Sequence, residues 1–168
     1  MPEEQTKAEL REAVGLMTMR FASVEFWVHQ VAWAMMGDQV VGPAVTEQLT
    51  FDRLVELVER LAKRGCVENV EVREAIGKVT ARLREVYAKR IEVTHAIFME
   101  GEEPKFVRIR KLVRGHWNGM RADARDVVGV ADECSELCGE LMGFWKAMGR
   151  EEEVRREYEE LVGRDFEI

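Results

Sequence analysis

The sequence predicts an all-α protein, an up-and-down helical bundle of three long and two shorter helices with a short irregular or hairpin insert near residues 99–119. Apolar residues recur at alternating steps of four and three, which is the spacing of one face of an α-helix. The 168 residues include only 3 prolines, so long helices can run uninterrupted. Hydrophobic residues make up 46% of the chain, enough to bury one core, and we expect a single domain over residues 1–168.

The first long helix has its apolar face between Leu10 and Met35 and should end at Gly37-Asp38. Eight apolar positions at heptad spacing make up this face: Leu10, Val14, Met17, Phe21, Val24, Val28, Val31 and Met35. A row of this length is typical of a helix that packs nearly parallel to its neighbours in a bundle.

Residues 38–49 are predicted to be a linker, because the Gly42-Pro43 pair breaks a helix. Thr50 is a suitable N-cap for a short second helix that runs through Arg64. Gly65 stands where a glycine usually ends a helix, so it should be the stop.

The third helix should begin after Asn69, a residue type that caps helix N-termini. Its apolar row contains Val72, Ile76, Val79, Leu83, Val86, Val93 and Ile97. Arg90 interrupts this row at a position that the spacing reserves for the core or for a partner.

Residues 99–119 lose the helical spacing, and Gly101 and Pro104 open this segment, so a hairpin or an irregular excursion is expected. The last long helix should run from about Met120 to Met148. A final amphipathic helix is expected over Glu151–Val162.

The charge of the chain is unevenly distributed. The formal charge is −7 overall, yet residues 105–125 hold seven basic residues and one acid, a local charge of +6 that leaves −13 for the rest. The acidic total argues against a general nucleic-acid coat protein, whereas a local basic patch is what phosphate binding requires. We expect RNA contacts from Lys105, Arg108, Arg110, Lys111 and Arg114; the alternative is a solvated loop that pairs with acidic surfaces.

Other features narrow the class of protein. No run of about eighteen apolar residues occurs, so we expect no membrane association and a cytoplasmic location. The 3 cysteines do not make a disulfide framework. No glycine-rich phosphate loop or set of metal ligands is evident, so neither a metal nor another cofactor is expected. Glu25 and His29 lie one turn apart, but such pairs are common on helix surfaces.

Arg90 and His95 form an Arg-x4-His pattern near the end of a long helix. A guanidinium in an apolar row costs several kcal/mol unless it is paired, so one interpretation is that Arg90 pairs with a carboxylate such as Glu25. An imidazole ordinarily exchanges protons near neutral pH and can serve as a general acid or base.

At this point the sequence resembles the HEPN superfamily, whose prokaryotic members include ribonuclease toxins and abortive-infection proteins. The family motif is an arginine, usually a polar residue, three more residues, and a histidine that is often followed by glycine. In this chain the motif spans Arg90-Ile91-Glu92-Val93-Thr94-His95, and Phe21-Ala22-Ser23-Val24-Glu25 and Leu49-Thr50-Phe51 also look like one bacterial branch. The resemblance covers roughly residues 8–148.

The resemblance implies a metal-independent endoribonuclease, a toxin or phage-defence component, built as one HEPN-like helical domain. His95 would act as general acid or base and Arg90 would stabilise the phosphorane. Five residues on an ideal helix turn through about 500°, which leaves these two side chains about 140° apart. Either the helix distorts before His95, or two protomers bring two copies of the motif into one cleft. The resemblance favours a homodimer and allows a cognate antitoxin or another protein partner.

Two positions depart from the family pattern. Ile91 stands where a polar residue is usual, and Ala96 stands where glycine is frequent. They favour an alternative function, a non-catalytic helical module that binds a protein partner or a nucleotide. A third hypothesis is a plain helical bundle in which Arg90 is only salt-bridged.

Overall fold

The computed structural model of the protein describes residues 2–37, 40–67, 69–99, 105–108 and 124–149. These residues form an all-α bundle with a hairpin insert, which confirms the predicted fold class. The helices are α1 (Pro2–Met36), α2 (Val41–Thr46), α3 (Phe51–Lys63), α4 (Val70–Thr94) and α5 (Ala124–Ala147), and the strands are β1 (Ala96–Met99) and β2 (Lys105–Arg108). None of these five helices has the length and hydropathy that a membrane span needs.

Contacts divide the chain into two units, and α1, α4 and α5 each contribute residues to both. Unit 1 comprises Met1–Glu25 and Ala81–Cys138, and unit 2 comprises Phe26–Thr80 and Gly139–Ile168. The predicted final helix over 151–162 lies outside the described residues.

The core of unit 1 comes from the heptad faces of α1, α4 and α5. Its buried side chains include Leu10, Met17, Phe21, Val24, Leu83, Val86, Val127, Ala131, Cys134 and Leu137. Burying one valine, leucine or phenylalanine side chain contributes about 1.5–3 kcal/mol. Exposed ion pairs contribute about 0–1 kcal/mol each, so apolar burial dominates the stability of this unit. Ion pairs between α5 and the other two helices are Arg20–Asp132 at 2.6 Å, Lys89–Glu133 at 2.8 Å and Arg82–Glu136 at 3.1 Å.

The core of unit 2 combines α1, α3, α4 and α5. Its buried side chains include Val28, Val31, Met35, Leu54, Val55, Val58, Ile76, Val79, Leu141 and Trp145. The ring of Trp27 meets that of Trp145 edge to face, with the centroids 5.9 Å apart. Such aromatic pairs add about 0.5–1.5 kcal/mol beyond the area they bury. The strict apolar spacing of the sequence therefore describes this core correctly.

Glycines end the helices where the sequence predicts. Gly37 follows α1 with a φ of 72° and donates its N–H to the carbonyl of Trp33 at 3.0 Å. Gly65 lies beyond the end of α3 with a φ of 84°. These left-handed conformations carry no steric cost only in glycine, which lacks a Cβ.

The predicted N-caps differ in chemistry. The Asn69 side-chain oxygen accepts hydrogen bonds from the backbone N–H groups of Glu71 at 2.9 Å and Val72 at 3.2 Å, which confirms the cap of α4. Thr50 holds the N-cap position of α3 in an extended conformation, but its side chain makes no capping hydrogen bond.

The prediction of a linker over residues 38–49 is wrong, because α2 occupies Val41–Thr46. Pro43 lies in the first turn of α2, where no helical hydrogen bond needs its missing N–H. Gly42 is buried against α1, and a Cβ built on it would lie 2.6 Å from Cδ1 of Trp33. The Gly42-Pro43 pair therefore lies in the first turn of α2, and the missing Cβ of Gly42 allows this turn to pack on Trp33.

The apolar row of α4 is shorter than predicted. The helix ends at Thr94, and Ile97 belongs to β1 instead of continuing the helical face. β-branched and aromatic residues at 97 and 98 favour a strand, which explains the change. The hairpin confirms one of the two predicted forms of the insert, although it begins at Ala96, three residues early.

The close approach of Gly42 to Trp33 predicts that Gly42→Ala lowers the free energy of unfolding by about 1–3 kcal/mol, through overpacking. Gly77→Ala is the control, because a Cβ at Gly77 meets nothing within 4 Å. That change should raise the free energy of unfolding by about 0.5–1 kcal/mol, since alanine favours a helix interior. Urea unfolding, with the same m-value for each variant, measures both changes in the free energy of unfolding. Equal effects of Gly42→Ala and Gly77→Ala would contradict the packing of α2 on Trp33.

Candidate functional site

Arg90 lies on the inner side of α4 in unit 1, where it covers an aromatic ring of α1. Its Cζ lies 5.2 Å from the centroid of the Phe21 ring. Tyr87, about one turn earlier on α4, stacks on the same ring at 5.9 Å with an interplanar angle of 21°. The half-buried guanidinium thus gains a cation–π contact, worth about 0.5–2 kcal/mol.

Within the described ranges, no carboxylate forms an ion pair with Arg90. Its Nε is buried and has no hydrogen-bond partner among the residues that the structure describes. Glu25 of α1 is half-buried, and burial raises its pKa while the charge of Arg90 acts to lower it. The ion pair that the sequence suggested between Arg90 and Glu25 is not formed in the described part of the chain. The Nε–H group of Arg90 therefore has no acceptor in the described part of the chain.

His95 follows directly after α4, and its side chain is exposed. Its backbone N–H donates to the carbonyl of Ile91 at 3.0 Å, the hydrogen bond of a regular α-helix. His95 therefore closes the last helical turn of α4. On an ideal helix two residues five positions apart face directions about 140° apart, so this regular turn favours separate sides for Arg90 and His95.

The hairpin returns part of the basic segment to the end of α4. In its antiparallel register Arg108 pairs with Ala96, the residue directly after His95, and Lys105 pairs with Met99. The strand that carries two of the expected RNA-binding residues therefore runs back toward the motif. The other three expected contacts, Arg110, Lys111 and Arg114, lie outside the described residues.

Metal ligation has no support from the described residues, among which no group of three or more histidine, cysteine, aspartate or glutamate side chains converges. Cys134 is buried, and its burial, with the nearby Cys138, raises the pKa of its thiol to about 11. The pKa of Cys138 is raised by burial too. These protonated thiols are weak ligands and weak nucleophiles.

A buried hydroxyl in unit 2 holds two aromatic side chains that the sequence did not connect. Thr46 is 0% exposed, and its Oγ1 accepts a hydrogen bond from Nε1 of Trp33 at 2.8 Å and lies 3.1 Å from Nδ1 of His29. Oγ1 donates its own proton to the carbonyl of Gly42 at 3.0 Å. His29 must therefore carry its proton on Nδ1, because a hydroxyl has only one proton to donate.

The same network changes the interpretation of His29. Burial lowers the pKa of this histidine, so the neutral ring is favoured. The sequence offered Glu25 as a partner one turn away, whereas the hydrogen-bond partner is Thr46, a residue of the segment predicted as a linker. No local spacing signals a contact across seventeen positions, so a sequence search could not find it.

Comparison with known proteins gave no match, whether against family models, curated proteins or solved structures. The resemblance to the HEPN superfamily therefore depends on Arg90, His95 and their helical surroundings. The function is inferred below from the site itself.

The lowered pKa of His29 predicts a specific pH dependence of stability. The unfolded chain binds this proton more readily than the folded chain, so the free energy of unfolding should fall as the pH drops below 6.5. His29→Asn keeps an amide donor near the position of Nδ1 but cannot titrate, so its free energy of unfolding should fall less over this range.

Gln30→Asn, a neighbouring change without a titratable group, is the control and should keep the wild-type pH dependence. Urea unfolding at several pH values gives the difference between the variants. Identical pH profiles for His29→Asn and the wild type would show that the network does not hold a neutral histidine.

Proposed function

We propose that the protein is a HEPN-like, metal-independent endoribonuclease that acts as a homodimer, in the role of a toxin or a phage-defence component. The observation that carries the proposal is the state of Arg90. Its guanidinium lies on the apolar side of α4 over Phe21, and no carboxylate of the described chain neutralises it. An arginine kept for structure alone is usually paired with a carboxylate, whereas an unneutralised guanidinium suits an RNA phosphate.

The proposed reaction is attack of an RNA 2′-hydroxyl on the adjacent phosphorus. His95 takes the proton of the 2′-hydroxyl as the new P–O bond forms, and the bond to the 5′-oxygen breaks. The departing 5′-oxygen takes a proton from solvent water, which leaves a 2′,3′-cyclic phosphate and a free 5′-hydroxyl, and protonated His95 returns its proton to the hydroxide. Arg90 donates hydrogen bonds to the phosphorane oxygens, where negative charge develops.

The regular end of α4 supports a dimeric site. The last hydrogen bond of α4 is that of a regular helix, so Arg90 and His95 should face directions about 140° apart, which favours a site shared by two chains. In a two-fold dimer, Arg90 of one protomer and His95 of the partner subunit can face one cleft, and the symmetry supplies two such sites.

The basic hairpin strand is the proposed RNA contact beside the site. The register places Arg108 opposite Ala96, next to His95, and the strand begins at Lys105. We propose that these two residues, together with Arg110, Lys111 and Arg114, bind the RNA backbone, where each phosphate contact adds salt-dependent affinity. The local charge of +6 over residues 105–125 suits this role in an otherwise acidic protein.

The alternative is a non-catalytic helical module that binds a protein partner or a nucleotide. Three exposed valines favour this alternative. Val40 precedes α2 and Val41 and Val45 belong to it, and their exposed fractions are 82%, 50% and 47%. Apolar side chains grouped on a surface often mark a protein contact. A cognate antitoxin or another protein could bind there whether or not the chain cleaves RNA.

The nuclease proposal predicts cleavage of RNA with EDTA present. His95→Ala should lower the cleavage rate about 10²–10⁴-fold, the usual contribution of a general acid–base group. Arg90→Lys keeps the charge but loses the planar pair of donors, so it should lower the rate as well. Arg53→Ala, which removes an exposed arginine paired with Glu56 in α3, is the control and should cleave normally.

Mixing two inactive variants tests the dimeric site. Half of randomly paired dimers of Arg90→Ala and His95→Ala are mixed, and each mixed dimer has one intact site, so about a quarter of the wild-type rate should return. Full loss of activity in both variants with no recovery on mixing would place the site within one chain. Cleavage that neither substitution affects would reject the nuclease proposal and leave the binding module.

A further inference from the structure

We infer that an uncharged, exposed face of α1 is the contact surface of a homodimer, in which two copies of α1 pack antiparallel about a two-fold axis. The inference rests on the proposed function for the requirement that two chains share one site, and it names the surface that brings them together. The features of this surface belong to α1 alone, so the pairing can be tested without RNA.

The outer face of α1 carries no charge and exposes two large apolar side chains. Met19 and Phe26 are 66% and 54% exposed, and they lie seven residues apart, on one side of the helix. Their exposed neighbours on this side are small or carry only a hydroxyl. The outer face of α1 comprises Gly15, Thr18, Met19, Ala22, Ser23 and Phe26. Charged residues make up 34% of the chain, so an exposed face without any of them marks a contact surface.

The surroundings of this face limit it at both ends. At one end the exposed Glu12 lies one turn before Gly15 and puts a charge on the same side of the helix. At the other end the row continues to Trp33, whose ring packs on α2. The free and uncharged part therefore runs over residues 15–26. A second copy of α1 that covers this part with its own must be centred on the middle of the face.

The sizes of the residues decide the direction of the second helix. In an antiparallel pair centred on the face, Gly15 lies opposite Phe26 of the partner subunit. The same register sets Met19 opposite the partner subunit's Ala22. Each large side chain thus meets a small residue, the alternation that lets facing helices interdigitate. A Cβ built on Gly15 would meet nothing within 4 Å, so the partner's Phe26 has room there. A parallel pair would instead set Met19 and Phe26 each against its own copy.

The polar members of the face can be covered without losing a hydrogen bond. Thr18 and Ser23 lie opposite each other in the antiparallel register. Their hydroxyls donate to carbonyl oxygens of their own helix, that of Val14 at 2.8 Å and that of Met19 at 3.4 Å. Burial in the dimer therefore leaves neither hydroxyl proton without an acceptor.

This register also relates the dimer to the proposed site. The two-fold axis passes between positions 20 and 21 of each α1, and Arg90 covers the ring of Phe21 at 5.2 Å. The Arg90 guanidinium groups of both protomers therefore lie at the level along the helix pair where the two chains are in contact.

The size of the contact sets its strength. The free face over residues 15–26 is about 18 Å long. Interfaces below about 1,200 Å² in total are typical of weak or transient complexes, and a single helix pair of this length belongs among them. We therefore expect a dimer that dissociates on dilution.

The test is the mass of the full chain in solution, measured by sedimentation equilibrium over a wide range of protein concentrations. Met19→Lys and Ala22→Glu each bury an unpaired charge at the contact, so each should raise the dissociation constant of the dimer at least about tenfold. An equal mixture of the two variants should restore the dimer. The two new charges face each other in an antiparallel pair, whereas in a parallel pair each would face the unchanged residue of the partner.

Met142→Lys is the matched control, because it puts the same charge in place of an exposed methionine of α5. It should leave the dissociation constant of the dimer unchanged. Positions 19 and 22 are exposed, so both test variants should keep the helical circular dichroism of the wild type. Recovery on mixing needs folded chains and therefore checks the fold a second time.

The outcomes separate this inference from the proposed function. A dimer that both variants lose and that returns on mixing supports the α1 surface. A dimer that both variants retain, or a mixture that stays monomeric, rejects this surface, while cleavage that still requires Arg90 and His95 keeps the proposed function. A wild type that is monomeric at every concentration rejects the surface and the shared site together. A dimer that behaves as expected in a protein that cleaves no RNA rejects only the proposed function.

Discussion

The contact of the Arg90 guanidinium with the Phe21 ring is the interaction on which the proposed site in unit 1 depends. Desolvating a fully buried charge costs several kcal/mol, and the cost is smaller for the half-buried Arg90. The Phe21 ring returns about 0.5–2 kcal/mol through its cation–π contact. An apolar side chain at position 90 would continue the heptad row of α4 and pack at least as well. Packing alone therefore gives no reason for a charge at this position, whereas the proposed function gives it a phosphate to bind.

The geometry of α4 decides how that charge can be used. The helix is regular to His95, and the hairpin then folds back so that Arg108 lies opposite Ala96. The proposed function makes the half-buried Arg90, the imidazole beyond the helix end and the basic strand three parts of one anion site. On a regular helix Arg90 and His95 would face directions about 140° apart. The proposed two-fold pairing is the simplest arrangement that directs them at one phosphate.

The sequence predicts most of this fold because its signals are local. Heptad rows identify the long helices, and Gly37, Gly65 and Asn69 act through the backbone of their immediate neighbours. The sequence did not predict α2, because the Gly42-Pro43 pair is usually a helix breaker. Pro43 is tolerated here because it lies in the first turn, and Gly42 is needed because a Cβ would collide with the ring of Trp33. The hydrogen bonds of the Thr46 hydroxyl with His29 and Trp33 could not be predicted either, because these residues are far apart in the sequence. At the site, the sequence shows the residue types of the motif, but the contact of Arg90 with Phe21 and its lack of a carboxylate partner among the described residues depend on tertiary packing.

Burial shifts the pKa of an acid and of a base in opposite directions, and in both cases it favours the neutral form. In unit 1 burial raises the pKa of Glu25, so the folded chain holds this proton more readily than the unfolded chain, and acidification favours folding at this group. In unit 2 the lowered pKa of His29 means that the same acidification puts a charge into a buried network and destabilises it. The two groups therefore act against each other in the pH dependence of stability. Removing the titration of His29 leaves the contribution of Glu25 unopposed, so the difference between the two profiles belongs to the Thr46 network.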